Sequence, residues 1–343
     1  MNETNLTERV QIQSSTAPPA EFMRRVSELR EAVNARIMAA VQKPAPVTLY
    51  EPMRYIFEAG GKRLRPILLL LSCQALGGSE NEALDAAVAV ELLHTFTLIH
   101  DDVMDHDDTR RGRPTIHKKW DVSVAILSGD GLVALSYDYL LRTPGVDSAR
   151  LGSLFSRALL EVCEGQALDK EFESRWNVTL DEYFTMIAKK TATLIALCGE
   201  LGGMIGKGTP EQVQALHDFG YHLGIAFQIQ DDLLDITADE KKLGKTWGSD
   251  IMRKKKTLLL LHALKAASPP DRKELEAVLR QPTVRESDVQ RVKALFERTK
   301  TIAFARERFL EHIEVARLQL QRLPSATAAS LSHFIQLILN RHF

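Results

Sequence analysis

Five aspartates lie within eight residues, directly after an apolar run that predicts a buried helix; they are Asp101, Asp102, Asp105, Asp107 and Asp108. Aspartate is a poor helix former and like charges one turn apart repel each other, so folding alone does not favour this cluster. Asp101 and Asp105 are four residues apart and therefore project from one face of a helix. Such a pair suits Mg²⁺, which takes one or two protein carboxylates together with waters and phosphate oxygens.

A short basic loop follows the aspartates. Arg110, Arg111 and Arg113 surround Gly112 and Pro114, and guanidinium groups in a flexible loop are well suited to bind phosphate. Carboxylates that bind metal, next to guanidiniums that bind phosphate, indicate chemistry on a diphosphate. Taken alone, the stretch is also compatible with an acidic helix end beside a solvated basic loop.

A second acidic motif decides between these two interpretations. Asp231, Asp232 and Asp235 repeat the DDxxD spacing 130 residues after Asp101, again at the end of an apolar helix, and Gln228 lies about one turn earlier on the same side. Two acidic helix ends with identical spacing are hard to explain as solvated surface. We therefore predict that both motifs face one metal-dependent site.

At this point the sequence resembles the trans-isoprenyl diphosphate synthases, the enzymes that elongate prenyl chains head to tail. The resemblance covers about residues 50–260 and consists of an ordered set of motifs, GGKRLRP, DDVMD with RRGRPT, KT, FQIQDDLLD and GK. It implies a single all-α domain with a central apolar cavity, the isoprenoid synthase fold. It also implies transfer of an allylic group to isopentenyl diphosphate, three Mg²⁺ ions per active site and a homodimer.

The resemblance assigns a role to individual residues, with Asp101, Asp105, Lys190, Asp231 and Lys245 as the catalytic set. Predicted metal ligands are the six motif carboxylates Asp101, Asp102, Asp105, Asp231, Asp232 and Asp235. Isopentenyl diphosphate is expected to bind Lys62, Arg65, His94 and Arg111. The allylic diphosphate is expected to bind Arg110, Lys190, Thr191, Gln228, Lys245 and Lys255. The family's usual glycine before the last of these lysines is replaced here by Lys254, so we expect a different local backbone.

Three of these assignments have plain structural alternatives. Lys62 and Arg65 lie at the predicted start of a helix, whose dipole favours an anion, but they also fit a solvated loop. His94 lies seven residues before Asp101 on the same helix face, and a lone histidine on an apolar helix is often a satisfied core residue. Lys190 lies in mid-helix before an apolar run, which predicts that it points into a cavity.

Composition excludes several other classes of protein. The net charge of −1 favours neither nucleic acid nor an anionic membrane surface as a partner. No apolar run reaches the ~20 residues of a membrane span, and the N-terminus lacks the plan of a signal peptide. Three scattered cysteines predict reduced, buried thiols in a cytoplasmic protein.

The pattern along the chain predicts helices and no competing strands. Residues 1–18 are polar and are predicted to be disordered, and residues 19–343 are predicted to form the single domain, with Arg341 near a C-terminal lid or in a solvated terminus. We also expect a polar excursion from Asp169 to Val178 and a glycine-rich turn from Gly199 to Gly208. That turn lacks the spacing of a phosphate-binding loop.

Product length depends on the residues beneath the first motif. Helical geometry puts Thr97 directly below Asp101, Phe96 about 100° around the helix, and Leu93 another turn down. In the family an aromatic residue five positions before the first aspartate restricts elongation. HTFTLIHDDVMD resembles the archaeal-type geranylgeranyl synthases, which predicts a twenty-carbon product, with fifteen carbons as the alternative.

Other functions remain open at the level of the sequence. A longer-chain polyprenyl diphosphate synthase would share every motif except the bulky Phe96. A terpene cyclase needs no second diphosphate site, and a non-catalytic subunit of a synthase heteromer tends to lose acidic residues. A metal-dependent phosphohydrolase would need histidine–aspartate pairs, and the chain has three such dipeptides, His100-Asp101, His106-Asp107 and His217-Asp218.

Overall fold

The computed structural model describes residues 17–237 and 248–340, so most of the N-terminal tail predicted to be disordered lies outside the described residues. The described chain is almost entirely helical, as predicted. In order, the helices are α1 (Ala20–Val41), α2 (Val47–Glu58), α3 (Leu64–Ala75), α4 (Glu80–Met104), α5 (Ile116–Lys119), α6 (Val122–Leu140), α7 (Ser148–Ser174), α8 (Leu180–Ile187), α9 (Thr193–Ile205), α10 (Pro210–Thr237), α11 (Ser249–Met252), α12 (Leu258–Ala266), α13 (Pro269–Leu279), α14 (Glu286–Arg298), α15 (Thr301–Leu320) and α16 (Ser325–Leu339).

Helix α4, which carries the first acidic motif, lies at the centre of the fold. It begins with a capping box in which Ser79 and Glu82 bond each other's backbone N–H groups. It is apolar on nearly all sides and packs against α1, α3, α6 and α9. Within the described residues it is the one helix with the length and composition of a membrane span, and most of it is buried in the core.

Helix α10 joins the two hydrophobic clusters of the fold. Its first half contributes Leu216 and Phe219 to the cluster around α1, α3, α4, α6 and α9. Its second half contributes Ile229 and Leu233 to the cluster formed with α8 and α12–α15. The second acidic motif at the end of α10 is thereby fixed relative to the first.

Two local predictions were wrong. Residues 199–205 are not a turn but continue α9, and their glycines let neighbouring helices pack closely. A Cβ on Gly199 would lie 2.1 Å from the Leu216 carbonyl oxygen, and one on Gly202 would lie 2.4 Å from that of Leu69. The predicted polar excursion from Asp169 is also wrong over its first half, because α7 runs to Ser174 and Asp169 accepts from Lys190.

Two smaller features also differ from the predictions. The arginine loop forms a short antiparallel pair, β1 (Thr109–Arg110) and β2 (Arg113–Pro114), with Arg110 opposite Arg113. All three cysteines are free, but Cys163 on α7 is exposed, so the prediction of buried thiols holds for Cys73 and Cys198 alone.

Candidate active site

The end of α4 separates its aspartates onto different sides. Asp102 points into the protein, where it is 2% exposed and Arg110 donates to its Oδ1 from Nε at 2.7 Å. Burial raises the pKa of Asp102, and the adjacent Arg110 only partly offsets this effect. Asp101 is less buried and lies about 100° around the helix from Asp102. In the first motif, Asp102 therefore anchors the arginine loop, whereas Asp101 lies on a different side of the helix.

Lysines from three other segments converge on Asp101 and Asp105. Lys190 Nζ lies 3.6 Å from Asp101 Oδ1, while Lys170 and Lys255 lie 3.4 Å and 3.2 Å from the two oxygens of Asp105. Burial opposes ionisation of Asp105, but the three lysines together lower its pKa. The structure thus brings the predicted Lys190 and Lys255 to the first motif. It adds Lys170, which the sequence did not single out.

The carboxylates of the second motif also divide into separate roles. Asp232 is 4% exposed and accepts hydrogen bonds from Tyr183 Oη at 2.7 Å, Gln228 Nε2 at 3.0 Å and the backbone N–H of Leu258 at 3.2 Å. Burial raises its pKa to about 7. Asp235 accepts from Ser249 Oγ at 2.8 Å and from the N–H of Asp250 at 3.1 Å.

These contacts give two of the predicted metal ligands a second task. Asp232 holds the first residue of α12, and Asp235 holds the first two residues of α11, so both tie the chain beyond the second motif back onto α10. Asp231 is partly exposed, in contrast to the buried Asp232 and Asp235. Asp231 is therefore the residue of this motif that is best placed to serve a ligand.

The first motif fits a hard cation. Asp101 Oδ1 is buried and accepts no hydrogen bond, and Asp105 projects from the same helix face four residues later. Across residues 17–237 and 248–340, no three histidine, cysteine or acidic side chains cluster closely enough to hold a metal by themselves. Two carboxylates that need further oxygen ligands match Mg²⁺, which is usually completed by waters and substrate phosphates.

A π turn at Ala188–Ala192 carries Lys190 and Thr191. Single π turns inside α-helices are frequently found at functional sites. The turn lies against α7, where a Cβ on Gly165 would be 2.3 Å from the Lys190 backbone nitrogen. One turn further along α7, Asp169 accepts from Lys190 Nζ at 2.6 Å. Sequence reasoning missed Gly165 and Asp169, although their spacing of four residues places them on one helix face.

A second cationic group lies between α3, α4 and the arginine loop. Arg65 Nη1 lies 3.1 Å from His94 Nε2, and Arg111 donates to the carbonyl oxygen of Gly60. The exposed Lys62 lies just before α3, two residues from its start. Burial, followed by the charges of Arg65 and Arg111, lowers the pKa of His94 well below its ordinary value. Neutral histidine and several guanidiniums together form a site suited to a polyanion.

Arg63, to which the sequence analysis assigned no role, lies next to this cationic group and is buried. Its guanidinium is buried, donates to Glu91 Oε1 and Asn34 Oδ1 at 2.8 Å each, and its backbone is left-handed with φ 52°. A Cβ on Gly61 would lie 2.8 Å from Arg63 Nη1 and 3.0 Å from Arg111 Nη1. Glycine at position 61 therefore lets two guanidiniums approach the same stretch of backbone.

The polyprenyl synthetase family profile matches residues 46–297, which include both acidic motifs and both cationic groups. The chain belongs to this family. It is 39% identical over 94% of its length to a short chain isoprenyl diphosphate synthase of Methanothermobacter thermautotrophicus, of which it covers 98%. It is 40% identical over 87% of its length to a geranylgeranyl diphosphate synthase of Saccharolobus solfataricus, of which it covers 90%.

Solved structures agree with this assignment. The geranylgeranyl pyrophosphate synthetase from Pyrococcus horikoshii superposes with a TM-score of 0.89 at 39% identity, covering 94% of this chain and 98% of that one. The predicted all-α fold and the predicted family, the trans-isoprenyl diphosphate synthases, are confirmed.

In this polyprenyl synthetase the residues predicted to limit product length lie one to two turns below Asp101. Phe96 is partly buried and its ring meets His100 edge-on, with the centroids 4.7 Å apart. Thr97 donates its hydroxyl to the carbonyl oxygen of His94 at 2.7 Å, and Leu93 is fully buried. Phe96 is thus the bulky side chain of the three that is not enclosed by the core.

The remaining predicted residues divide between the described and the undescribed parts of the chain. Gln228 Oε1 accepts the hydroxyl hydrogen bond of Thr191 at 2.9 Å, which links the second motif to the π turn. A small apolar cavity beside Arg65 is lined by Phe227 of α10 and by Phe334 and Ile338 of α16. Lys245 and Arg341 lie outside the described residues.

Proposed function

We propose that this enzyme, a trans-isoprenyl diphosphate synthase, condenses an allylic diphosphate with isopentenyl diphosphate to make geranylgeranyl diphosphate. The observation that carries the proposal is the meeting, at the end of α4, of the Asp101 and Asp105 carboxylates with Lys190, Lys170 and Lys255 from distant segments. Carboxylates for a metal and lysines for a diphosphate are thereby within reach of one substrate group.

In this proposal Asp101, Asp105 and Asp231 hold Mg²⁺, with three ions per active site. Bound Mg²⁺ supplies positive charge that stabilises the departing diphosphate. Lys190 binds the same group, because its ammonium lies between Asp101 and Asp169 and can turn to a phosphate oxygen. Lys255 and Lys245 are assigned to the allylic diphosphate as well. Spreading the negative charge over fixed cations favours ionisation of the allylic C–O bond.

Isopentenyl diphosphate is assigned to Lys62, Arg65, His94 and Arg111. The low pKa of His94 keeps its ring neutral among the arginines, so it can accept from Arg65 without adding a further buried charge. A small apolar cavity lies beside Arg65, next to these cations. Holding both substrates in fixed orientation supplies much of the rate acceleration for carbon–carbon bond formation.

Arg110 has a more structural place in this scheme than its sequence position suggests. Its guanidinium is paired with the buried Asp102 through Nε at 2.7 Å and Nη2 at 2.6 Å. The pair fixes the hairpin that carries Arg111. We therefore assign Asp102 to holding the arginine loop, and keep Arg110 as a contact to the allylic diphosphate through its remaining N–H groups.

Assembly as a cytoplasmic homodimer completes the proposal. Exposed apolar side chains lie on α6 and α7, namely Val122, Ile126, Leu127 and Leu160. In this proposal these exposed apolar side chains lie at the contact between subunits. In this proposal residues 19–343 form a single domain. The free cysteines are consistent with a reducing compartment.

Incubation with isopentenyl diphosphate, an allylic diphosphate and Mg²⁺, followed by chromatography of the products, tests the proposal. We expect a twenty-carbon prenyl diphosphate as the main product. A fifteen-carbon product would favour the farnesyl alternative, and longer chains would show that Phe96 does not limit elongation. A cyclised hydrocarbon, or hydrolysis without elongation, would refute the synthase mechanism.

A further inference from the structure

Tyr183 is a fully buried tyrosine on α8, next to the candidate active site but absent from every motif discussed so far. It is 1% exposed, and its hydroxyl donates to Asp232 Oδ2 at 2.7 Å. Its ring packs among the apolar residues of the second hydrophobic cluster. The phenol thus supplies one hydrogen bond to a carboxylate that has little access to water.

A chain of hydrogen bonds leads from this phenol to the π turn. Asp232 Oδ1 accepts from Gln228 Nε2 at 3.0 Å, and Gln228 Oε1 accepts from Thr191 Oγ1 at 2.9 Å. Thr191 lies directly after Lys190, whose ammonium reaches Asp101 and Asp169. The four residues Tyr183, Asp232, Gln228 and Thr191 therefore connect α8, α10 and the π turn.

The direction of each hydrogen bond in this chain is set by the one before it. Asp232 Oδ1 accepts from the amide nitrogen of Gln228, so the amide oxygen of Gln228 is turned toward Thr191. Thr191 therefore donates its hydroxyl proton to Gln228. The lone pairs of the Thr191 hydroxyl oxygen are then directed away from Gln228. Donors on both oxygens of Asp232 keep the carboxylate from rotating, and the phenol of Tyr183 is one of these donors.

We infer that Tyr183 is a positioning residue for the prenyl transfer reaction, acting through Asp232 and Gln228 on Thr191 and the π turn. The inference rests on the proposed roles of Thr191, Gln228 and Lys190 at the allylic diphosphate. Without the phenol, Asp232 keeps the Leu258 N–H on Oδ2 and can turn toward it. Gln228 then loses its fixed acceptor, and both orientations of its amide become accessible.

Tyr183→Phe tests the inference, because it removes the hydroxyl and keeps the ring. We expect kcat to fall at least about tenfold, the loss typical of one hydrogen bond to a charged group. The KM for isopentenyl diphosphate should stay unchanged, because Tyr183 has no contact with the group around Arg65. Thr299→Val is the matched control, since it removes a 2.7 Å hydroxyl hydrogen bond from a residue beside Leu295 and Phe296 of the same hydrophobic cluster.

A purely structural role predicts a different pattern. In that case Tyr183→Phe would lower the unfolding temperature more than Thr299→Val and leave the kcat of the folded enzyme intact, which would overturn the inference. A change in both KM values with unchanged kcat would overturn it as well.

The double variant Tyr183→Phe with Thr191→Val separates this inference from the proposed function. If Tyr183 acts through Thr191, the double variant should lose no more activity than Thr191→Val alone. If the two losses multiply, Tyr183 acts by another route and the inference fails while the proposed function stands. If Thr191→Val itself keeps wild-type turnover, the proposed role of Thr191 fails, and the inference fails with it.

Discussion

Glu91→Gln is expected to destabilise the protein strongly, because it breaks a buried ion pair beneath the proposed isopentenyl diphosphate site. The side chains of Arg63 and Glu91 are 2% and 4% exposed, and Arg63 Nη1 lies 2.8 Å from Glu91 Oε1. Removing one partner of such a pair leaves an uncompensated buried charge, which costs about 3–5 kcal/mol. Folded domains have about 5–15 kcal/mol of unfolding free energy, so the loss is a large share of the total.

The chain offers a matched control on the same helix. Asp85 of α4 pairs with Arg36 at the same N–O distance of 2.8 Å, but the Arg36 side chain is 42% exposed. Asp85→Asn should therefore cost only about 0.2–1 kcal/mol, the usual range for an exposed pair. The two variants compare burial at a constant distance, since each replaces a carboxylate by the corresponding amide.

Urea unfolding followed by circular dichroism measures both losses, and added inorganic diphosphate probes the site above the pair. Arg63 lies beside Arg111, whose pKa is lowered by burial and then by the charge of Arg63. Glu91→Gln leaves this positive charge unbalanced, so diphosphate should raise the unfolding free energy of the variant more than that of the wild type. Equal losses for Glu91→Gln and Asp85→Asn, or no extra effect of diphosphate, would refute the reasoning.

Three further predictions concern substrate binding, product length and pH. Lys62→Ala should raise the KM for isopentenyl diphosphate, and Lys190→Ala should raise the KM for the allylic diphosphate. Each variant loses a charge-assisted contact that contributes up to about 3 kcal/mol to binding. If steady-state kinetics showed the opposite effects, the two substrate sites would have to be exchanged. Phe96→Ala should lengthen the product by at least one isoprene unit, measured by chromatography. An unchanged product distribution would direct attention to Leu93 or to another helix. Because the folded protein lowers the pKa of His94, the unfolded chain gains a proton there below about pH 6.5 that the folded protein excludes. Wild-type stability should therefore fall with decreasing pH relative to His94→Gln, by up to about 1.4 kcal/mol per pH unit; parallel stability curves for the two proteins would contradict this.

Residues that belong to a repeated sequence motif could be predicted from the sequence. The repeated DDxxD spacing identified two helix ends, and the structure places Asp101 and Asp105 within 4 Å of lysines from the π turn, from α7 and from the segment after α11. Helical periodicity predicted an almost entirely helical chain, because a strongly apolar face determines where a helix packs. The prediction of a turn over residues 199–205 was wrong because glycines are common both in loops and where two helices pack closely. Composition alone does not distinguish these two cases.

Residues whose role depends on contacts between distant segments could not be predicted. Nothing in the amino-acid sequence distinguishes Asp102, which pairs with Arg110, from Asp101, which lies near Lys190. Arg63 is a cation like Lys62 and Arg65 of the same motif, yet its backbone is left-handed and its side chain pairs with the buried Glu91. Tyr183 occupies an ordinary core position of an amphipathic helix, and only the fold shows that its hydroxyl meets Asp232.

Turnover of Asp101→Ala and Asp231→Ala at saturating Mg²⁺ tests most directly whether two acidic helix ends act on one diphosphate. Both variants should lose several orders of magnitude in turnover with an unchanged helical circular dichroism spectrum, because each substitution removes a carboxylate and also relieves repulsion between like charges. Asp108→Ala, which removes a 77% exposed carboxylate of the same cluster, should keep wild-type turnover. Turnover near the wild-type value in either Asp101→Ala or Asp231→Ala would contradict the two-motif site.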